Sequence, residues 1–331
     1  MKKLLALLLL ASILLIILPY LWWTNVSQPP SGSSEKFSFI ITKGSGAVHI
    51  GQKLEKEGFI RSAFAFKLYT QITNTSKQIK AGQYTLSKNQ PLTNLLTQLK
   101  KGPSGIWITV PEGKRKEEVL DIFLQNLSFE DRSKSDFTTQ FLSLTSDSEG
   151  YLFPDTYLVP IDSSPELVFN TLRSTFDKKT SEILKSNTAK LSTNEVVTLA
   201  SLLERETVTD EERPIVAGIL LKRIDNSWPL QVDASVQYTV ANARCTPSQT
   251  DCDWWPDLTK QDLEINSPFN TYKYQGLPPS PISNPGLGSI KAVLENTQSP
   301  YWFYLHDPSG VIHYAQSLEE HNLNIAKFLG K

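Results

Sequence analysis

The sequence has few residues suited to redox or metal chemistry. It contains two cysteines, Cys245 and Cys252, whose spacing is neither that of a CxxC redox motif nor that of a zinc finger. The four histidines are scattered and no HExxH motif occurs, so we expect no metal site. Glycine-rich phosphate loops of the GxxxxGK[ST] kind are also lacking, and we expect no nucleotide or other cofactor.

An excess of basic residues is lacking as well. The 331 residues carry a net charge of −1 with a sequence pI near 6.5, which argues against a nucleic-acid-binding protein. Hydrophobic residues make up 40% and charged residues 20%, as in ordinary folded proteins. A chain of this length can form about two domains.

The first residues have the pattern of a membrane anchor. Lys2 and Lys3 precede an uncharged run from Leu4 to Trp23, and about 20 residues of helix rise about 30 Å, the thickness of a bilayer core. Because the nearby positive charges precede the run, we expect residues 1–26 to comprise a cytoplasmic tip and a single-pass transmembrane helix of the plasma membrane, with the N-terminus in the cytoplasm and the rest of the chain extracytoplasmic. The alternative is a cleaved signal peptide, but no small-residue cleavage site follows the run.

The remaining chain predicts an α+β protein. Residues 27–36 read as a polar linker. A short β-rich run followed by a turn and an amphipathic helix then occurs three times, with the strands at 39–44, 84–89 and 108–113. We expect a small α/β domain over 37–104 and a mixed α+β catalytic domain over 105–331, although any α+β domain can contain such units.

The second half is richer in helix signals. We expect helices over 165–184, 193–206 and 211–224, an irregular region over 225–300, a hairpin of 301–306 with 311–315, and a last helix over 318–329. Thr209–Glu212 has the form of a capping box, and Pro214 suits a first helical turn. Asp233 is expected to be the N-cap of a further helix.

A carboxylate interrupts the apolar face of the helix that begins after Ser192. Ser192–Glu195 is a capping box, and at 100° per residue Glu204 falls within the apolar arc while Glu206 lands at its edge. Burial disfavours the charged form and raises the pKa of a carboxyl group, which is what a glycosidase acid needs near neutral pH. The alternative is a structural Glu204 that is paired with one of the cations of the next helix, Arg213, Lys222 or Arg223.

The irregular region has the composition of a ligand groove. Phe269–Tyr272 and the proline-rich stretch 276–286 are extended and rigid, and prolines leave backbone carbonyls without competing donors. Sugars suit such carbonyls and side chains such as Asn270 and Tyr272. A proline-rich loop that simply packs on the core is the alternative.

At these residues the chain resembles the endolytic murein transglycosylase family, the YceG-like proteins. The resemblance covers most of 37–329 and includes the N-terminal anchor, and the residues that carry it are 149–157 (EGYLFPDTY), 199–207 (LASLLERET), 230–238 (LQVDASVQY), 270–272 (NTY), 276–279 (GLPP) and His321-Asn322. It implies that Glu204 is the catalytic residue and that 37–104 is LysM-like. It also implies an enzyme that cleaves the MurNAc–GlcNAc β-1,4 bond within glycan strands and leaves a 1,6-anhydro-MurNAc end. Nascent strands are the expected substrate of this cleavage.

The resemblance also implies the binding residues and partners. Peptidoglycan glycan strands are the expected substrate, and peptidoglycan synthases are candidate partners. One departure is the segment 242–258, which is richer in Trp and Cys than the family pattern. The expected substrate-binding residues are Glu206, Asp233, Gln237, Asn270, Thr271, Tyr272, Gly276, Leu277, Pro278 and Pro279.

Two alternatives remain open from the sequence. A non-catalytic peptidoglycan-binding scaffold of the envelope would not need a buried acid such as Glu204. A hydrolytic muramidase would need a second carboxylate, for which Asp233 and Glu206 are the candidates. Outside the membrane, Cys245 and Cys252 are expected to form a disulfide, since that compartment can be oxidising.

Overall fold

The structure is a computed structural model that describes residues 2–129, 133–185, 191–249 and 251–330. The chain divides into two compact units. The first comprises Met1–Trp107 with Tyr157–Ile161, and the second comprises Ile108–Thr156 with Asp162–Lys331.

The first unit contains a sheet and short amphipathic helices. The sheet has the strand order β1-β2-β3-β4, and β1 pairs antiparallel with β2 from Lys36 opposite Ser87 to Ile41 opposite Gly82. Strand β2 is antiparallel to β3. The elements are α1 (Lys2–Val26), β1 (Lys36–Ile41), α2 (Ala47–Lys56), α3 (Ala63–Ile72), β2 (Gly82–Ser87), α4 (Leu92–Lys101), β3 (Gly105–Thr109) and β4 (Thr156–Pro160).

The core of this unit follows from the alternation of its strands and the stripes of its helices. Phe39 and Ile41 point inward from β1, where successive side chains face opposite sides, and Leu54 is fully buried on α2. Two strands of the predicted strand–turn–helix repeat, β1 and β2, lie here. The LysM-like assignment of 37–104 stays a prediction. No helix among the described residues is both long enough and apolar enough to span a bilayer.

The second unit is mainly helical, and α8 lies at its centre. Every residue from Val196 to Leu203 is buried, and the helix packs against α9 and α11. The helices are α5 (Lys116–Asn126), α6 (Lys134–Leu144), α7 (Pro165–Lys185), α8 (Thr193–Glu206), α9 (Glu212–Asp225), α10 (Asp233–Arg244), α11 (Leu287–Glu295) and α12 (Leu318–Asn324).

The capping box predicted at the start of α8 is present. The backbone N–H of Glu195 donates to the Ser192 hydroxyl at 3.3 Å, and the Glu195 carboxylate accepts from the Ser192 N–H at 2.7 Å. Two N-terminal donors of the helix are thereby satisfied. The predicted bounds 193–206 match the observed helix.

Two other predicted helix starts differ in outcome. Helix α9 is predicted over 211–224 and observed at Glu212–Asp225, with Glu211 rather than Thr209 as the N-cap. The Glu212 carboxylate accepts from the N–H of Thr209 at 3.4 Å, as in the predicted capping box, and also from the N–H of Val208 at 2.9 Å. Asp233 is not an N-cap, since it is the first residue of α10 and Val232 precedes the helix. The side chain of Asp233 is therefore directed to a different partner.

The C-terminal part contains the predicted hairpin. Strands β5 (Phe303–His306) and β6 (Ile312–Ala315) pair antiparallel, with Tyr304 opposite Tyr314. The last predicted helix is observed as α12, which continues into a π-helical turn, Ile325–Leu329.

Candidate active site

A polar pocket of about 440 Å³ lies where α8 and α9 meet the C-terminal hairpin. Several elements contribute side chains to it, and the first hairpin strand, Phe303–His306, contributes four. The end of α8 supplies Glu206 and the start of α10 supplies Asp233. The complete lining is Glu206, Arg223, Gln231, Asp233, Tyr272, Phe303, Tyr304, Leu305, His306 and His321.

Glu206 is the carboxyl group in this pocket with the most altered acidity. Burial raises its pKa from 4.5 to about 7, and the negative charge of Asp233 adds to the rise. The Tyr304 hydroxyl, which donates to Glu206 Oε2 at 2.7 Å, opposes the rise, as do the charges of Arg223 and Arg205. A carboxyl with a pKa near 7 can give a proton and take it back at neutral pH.

A second hydrogen bond crosses the pocket. The Tyr272 hydroxyl donates to Asp233 Oδ1 at 2.5 Å. Burial and this bond to Asp233 keep the pKa of Tyr272 far above its ordinary value, so the phenol stays protonated. Burial and the charge of Glu206 likewise keep the pKa of Tyr304 well above normal. Both phenols therefore act as donors to the two carboxylates.

Arg223 holds the hairpin against α9. Its guanidinium donates to the carbonyl of Leu230 at 2.5 Å and to the carbonyl of Trp302 at 2.7 and 3.1 Å. With its donors occupied by backbone, Arg223 contributes positive charge to the pocket wall. This charge lowers the pKa of His321, for which burial is the larger cause.

His321 closes another side of the pocket. Its ring stacks on Phe303 with the ring centres 5.1 Å apart, and its Nδ1 is buried without a hydrogen-bond partner among the described residues. His306, also in the lining, lies with Nε2 3.3 Å from the Glu212 carboxylate.

Glu204 has a different environment from Glu206. Its side chain is 6% exposed, and Arg213 Nη2 lies 3.2 Å from Oε1. Oε2 accepts from the Gly286 N–H at 2.9 Å and from the Ser289 hydroxyl at 2.8 Å. The carboxylate thus anchors the N-terminus of α11, where backbone N–H groups lack helical partners.

These contacts fit the alternative in which Glu204 is a structural residue paired with a cation of the next helix. Arg213, one of the cations considered there, also lies 3.6 Å from Glu112 and contacts Asp210. Burial raises the pKa of Glu112, with the charge of Glu204 as the next cause. The catalytic assignment of Glu204 stays a prediction, and Glu206 is the carboxyl group of α8 that lines the polar pocket.

Several predicted binding residues support the pocket rather than line it. Asn270 is fully buried, and its amide donates to the carbonyls of Leu263 and Ile265 at 2.9 Å while its Oδ1 accepts from the Tyr272 N–H at 3.0 Å. Thr271 is also buried, and its hydroxyl accepts from the Val232 N–H at 2.9 Å. These two residues fix the loop that carries Tyr272.

The other predicted binding residues lie in different environments. Gln237 donates to the carbonyl of Pro256 at 3.1 Å. Leu277 packs on the core of the second unit, Pro278 is buried, and Pro279 is exposed. Gly276 has φ +80°, a conformation that favours glycine. Their assignment as glycan contacts stays a prediction.

The two cysteines are paired. Cys245, which follows α10, and Cys252 form a disulfide with their Cα atoms 6.1 Å apart. Buried Trp254 packs beside Cys245, and its ring lies 4.6 Å from the guanidinium carbon of Arg115.

A further buried carboxyl lies away from the pocket. Glu149, the first residue of the aromatic motif, accepts from the Lys116 N–H at 3.1 Å and from the Asn284 amide at 3.0 Å. Burial raises its pKa to about 8, and the charge of Glu117 contributes. These contacts join α5 to the proline-rich loop, which is a structural role.

Sequence reasoning did not assign a pocket role to Tyr304, Arg223 or His321. Tyr304 lies 98 residues from its partner Glu206, and no local pattern reports such a contact. Arg223 was considered only as a partner of Glu204. His321 did carry a signal, because it belongs to the motifs of the family resemblance.

The fold and the pocket define a class before any particular family. The protein has a mixed α+β fold with a carboxyl group of pKa about 7 in a polar pocket. The fold matches the crystal structure of a YceG-like protein from Listeria monocytogenes, with a TM-score of 0.52 and 26% identity. That match covers 88% of this chain and 99% of the other. The profile of the YceG-like family matches residues 39–327, and the chain belongs to this family.

Named proteins from other bacteria are also similar in sequence to this chain. An endolytic murein transglycosylase of Streptococcus pneumoniae is 29% identical over 90% of this chain. One of Bacillus subtilis is 28% identical over 94% of this chain and 90% of its own length. The chain spans 60% of the length of the pneumococcal relatives it matches.

Proposed function

We propose that the protein is an endolytic peptidoglycan lytic transglycosylase, a lyase that cuts the MurNAc–GlcNAc β-1,4 bond and leaves a 1,6-anhydro-MurNAc end. Membership of the YceG-like family and the names of the relatives support the substrate class. The observation that carries the chemistry is Glu206, a carboxyl of pKa about 7 in a polar pocket. We further propose that the enzyme acts on nascent strands and so terminates glycan elongation.

Glu206 is proposed to act twice, first as acid and then as base. In the first role it protonates the departing O4 of N-acetylglucosamine, which requires the neutral carboxyl that burial favours. In the second role it accepts the proton of the muramic C6 hydroxyl as that oxygen bonds to C1. Because the nucleophile belongs to the substrate, a second protein carboxylate is not required to activate water.

The neighbours of Glu206 then have supporting roles. Tyr304 orients the carboxyl group through its hydrogen bond to Oε2. Asp233 and Tyr272, joined to each other, offer polar groups to the sugar on the same pocket wall. The charge of Arg223 complements the negative charge that the carboxyl acquires after it has donated its proton.

Mass spectrometry of the products from purified peptidoglycan tests this proposal. Anhydromuropeptides are expected. Muramic products with reducing ends would instead support a hydrolytic muramidase, the second candidate, because Asp233 faces the same pocket as Glu206. Glycan binding without any product would support a non-catalytic scaffold.

We also propose that α1 anchors the protein in the plasma membrane with its N-terminus in the cytoplasm. The uncharged run from Leu4 to Trp23 behind Lys2 and Lys3 supports this orientation. The anchor would keep the catalytic part close to peptidoglycan synthases, which we propose as partners, and a LysM-like first unit would assist glycan binding. Membranes washed with high salt should retain the full-length protein. Recovery of a soluble form beginning near Thr24 would contradict the anchor.

A further inference from the structure

A row of aromatic rings extends from the pocket to the protein surface. Phe303 stacks on His321 inside the pocket lining. Trp228 meets Phe303 edge to face, with ring centres 5.8 Å apart, and lies against Trp302 with ring centres 5.0 Å apart at an angle of 34°. The side chain of Trp228 is 37% exposed, whereas Phe303 is buried.

The row is held rigidly to the pocket wall. Arg223 lines the pocket and donates to the backbone carbonyl of Trp302. The N–H of Trp228 in turn donates to the carbonyl of Arg223 at 2.8 Å. A displacement of either tryptophan would therefore break hydrogen bonds that also position the pocket.

The turn that presents Trp228 adopts an unfavourable backbone conformation. Ser227 and Gln231, on either side of it, both have φ +54°, a left-handed conformation that is unfavourable for residues other than glycine. Such conformations persist where the surrounding structure requires them, and they are concentrated at functional sites. Gln231 itself lines the pocket.

Positive charge lies beside the row. Lys222 Nζ is 4.2 Å from the centre of the Trp302 ring and donates to the carbonyl of Pro300 at 3.2 Å. The same ammonium also lies 3.4 Å from the carbonyl oxygen of Ser299 and 3.5 Å from that of Tyr301, so Lys222 fixes the segment that carries Trp302 beside the exposed indole of Trp228. Pyranose rings present C–H bonds on one face, which pack on indole.

We propose that the Trp228–Trp302 pair is an outer glycan subsite, on which a sugar beyond the cleaved bond stacks. The occupant is the same glycan strand that reaches Glu206, so this inference rests on the proposed function. The subsite makes the enzyme prefer strands long enough to extend from the pocket to the tryptophan pair. It lies outside the residues that perform the cleavage.

Michaelis constants for strands of two lengths test the subsite. The full-length protein is assayed on uncrosslinked glycan strands of four sugars and of at least eight. Trp228→Ala is expected to raise KM for the long strand about 5- to 10-fold more than for the short one, the effect of losing one aromatic contact. Leu167, which is 44% exposed on α7 of the second unit and is not part of the pocket lining, is the control, and Leu167→Ala should leave both constants unchanged.

The possible outcomes separate the subsite from the proposed function. Equal changes in KM for both lengths, or no change, would overturn the subsite. Thermal unfolding shows whether Trp228→Ala is folded. If it is not, Trp228→Tyr keeps a smaller ring, and it should raise KM for the long strand selectively but less; an equal effect on both lengths would again overturn the subsite. A wild-type protein that cleaves neither strand would overturn the proposed function itself.

Discussion

Tyr304 donates a hydrogen bond of 2.7 Å to Glu206, its partner 98 residues earlier in the chain. This contact joins the hairpin to the end of α8 inside the polar pocket. It also acts directly on the acidity of Glu206, since the bond lowers a pKa that burial raises to about 7.

The two glutamates of the family motif should respond differently to the same substitution. Glu206→Gln should lose at least about 100-fold in kcat, because general acid–base catalysis contributes roughly 10²–10⁴-fold. Glu204→Gln should lose little activity but lower the stability, since it removes the ion pair with Arg213. Release of anhydromuropeptides and thermal unfolding are measured for both. The reverse pattern, with the folded Glu204→Gln protein inactive and Glu206→Gln active, would restore Glu204 as the catalytic residue.

Tyr304→Phe should move the pH profile to higher pH. The variant loses the hydroxyl that lowers the pKa of Glu206, so Glu206 should remain protonated to a pH above 7. The alkaline limb of kcat/KM should shift upward accordingly. Tyr301→Phe is the control, because Tyr301 stacks on Tyr314 rather than contacting Glu206. If the alkaline limb of kcat/KM does not shift in Tyr304→Phe, either Glu206 is not the titrating acid or Tyr304 does not lower its pKa.

Asp233→Asn should shift the same limb in the opposite direction. The negative charge of Asp233 raises the pKa of Glu206, and its removal should lower that pKa. The alkaline limb of kcat/KM should therefore fall to lower pH. Tyr272 keeps a side-chain oxygen as its acceptor in the variant, which preserves the geometry of the loop. An upward shift would contradict the electrostatic account.

The acidity of Glu206 also predicts a change in stability with pH. Its pKa is about 7 in the folded protein and 4.5 ordinarily, so the folded state binds the proton more tightly than the unfolded state. Its contribution to the free energy of unfolding is thus fully present below about pH 4.5 and is lost as pH rises to about 7. Denaturant unfolding from pH 5 to 8 should show a shallower decline for Glu206→Gln than for the wild type. Parallel curves for the two proteins would refute the raised pKa.

The disulfide should be measurable by thiol labelling. The unreduced, denatured protein should show no reactive thiols, since Cys245 and Cys252 are paired. Closing a loop of about eight residues should stabilise the fold by about 2.5 kcal/mol through chain entropy, which Cys245→Ser with Cys252→Ser would remove. Two reactive thiols per chain would show that the bridge does not form in the purified protein.

Local signals in the sequence predicted much of the second unit. The capping box at Ser192 located α8 correctly, and the turn at Asp307–Gly310 between two β-rich runs located the hairpin. These features depend on neighbours within a few residues, which the sequence displays. The start of α9 was predicted within one residue, and the Glu212 carboxylate accepts from the N–H groups of both Thr209 and Val208.

The choice between Glu204 and Glu206 could not be made from the helix alone. Helical periodicity placed Glu204 within the apolar arc and Glu206 at its edge, and the family resemblance implied Glu204 as the catalytic residue. The partners of the two carboxyl groups come from distant segments, since Gly286 and Ser289 donate to Glu204 while Tyr304 donates to Glu206. Only the tertiary structure shows which carboxyl group faces the pocket.

The position of the hairpin late in the chain has a consequence for the order in which the pocket forms. A chain is synthesised from its N-terminus, so Glu206 emerges from the ribosome before Phe303–His306 and His321, which line the same pocket. Until these later segments have folded onto α9, Glu206 lacks Tyr304 as its hydrogen-bond partner and lacks the wall that they form. A nascent chain that has not yet reached residue 303 would therefore carry Glu206 without the pocket that surrounds it.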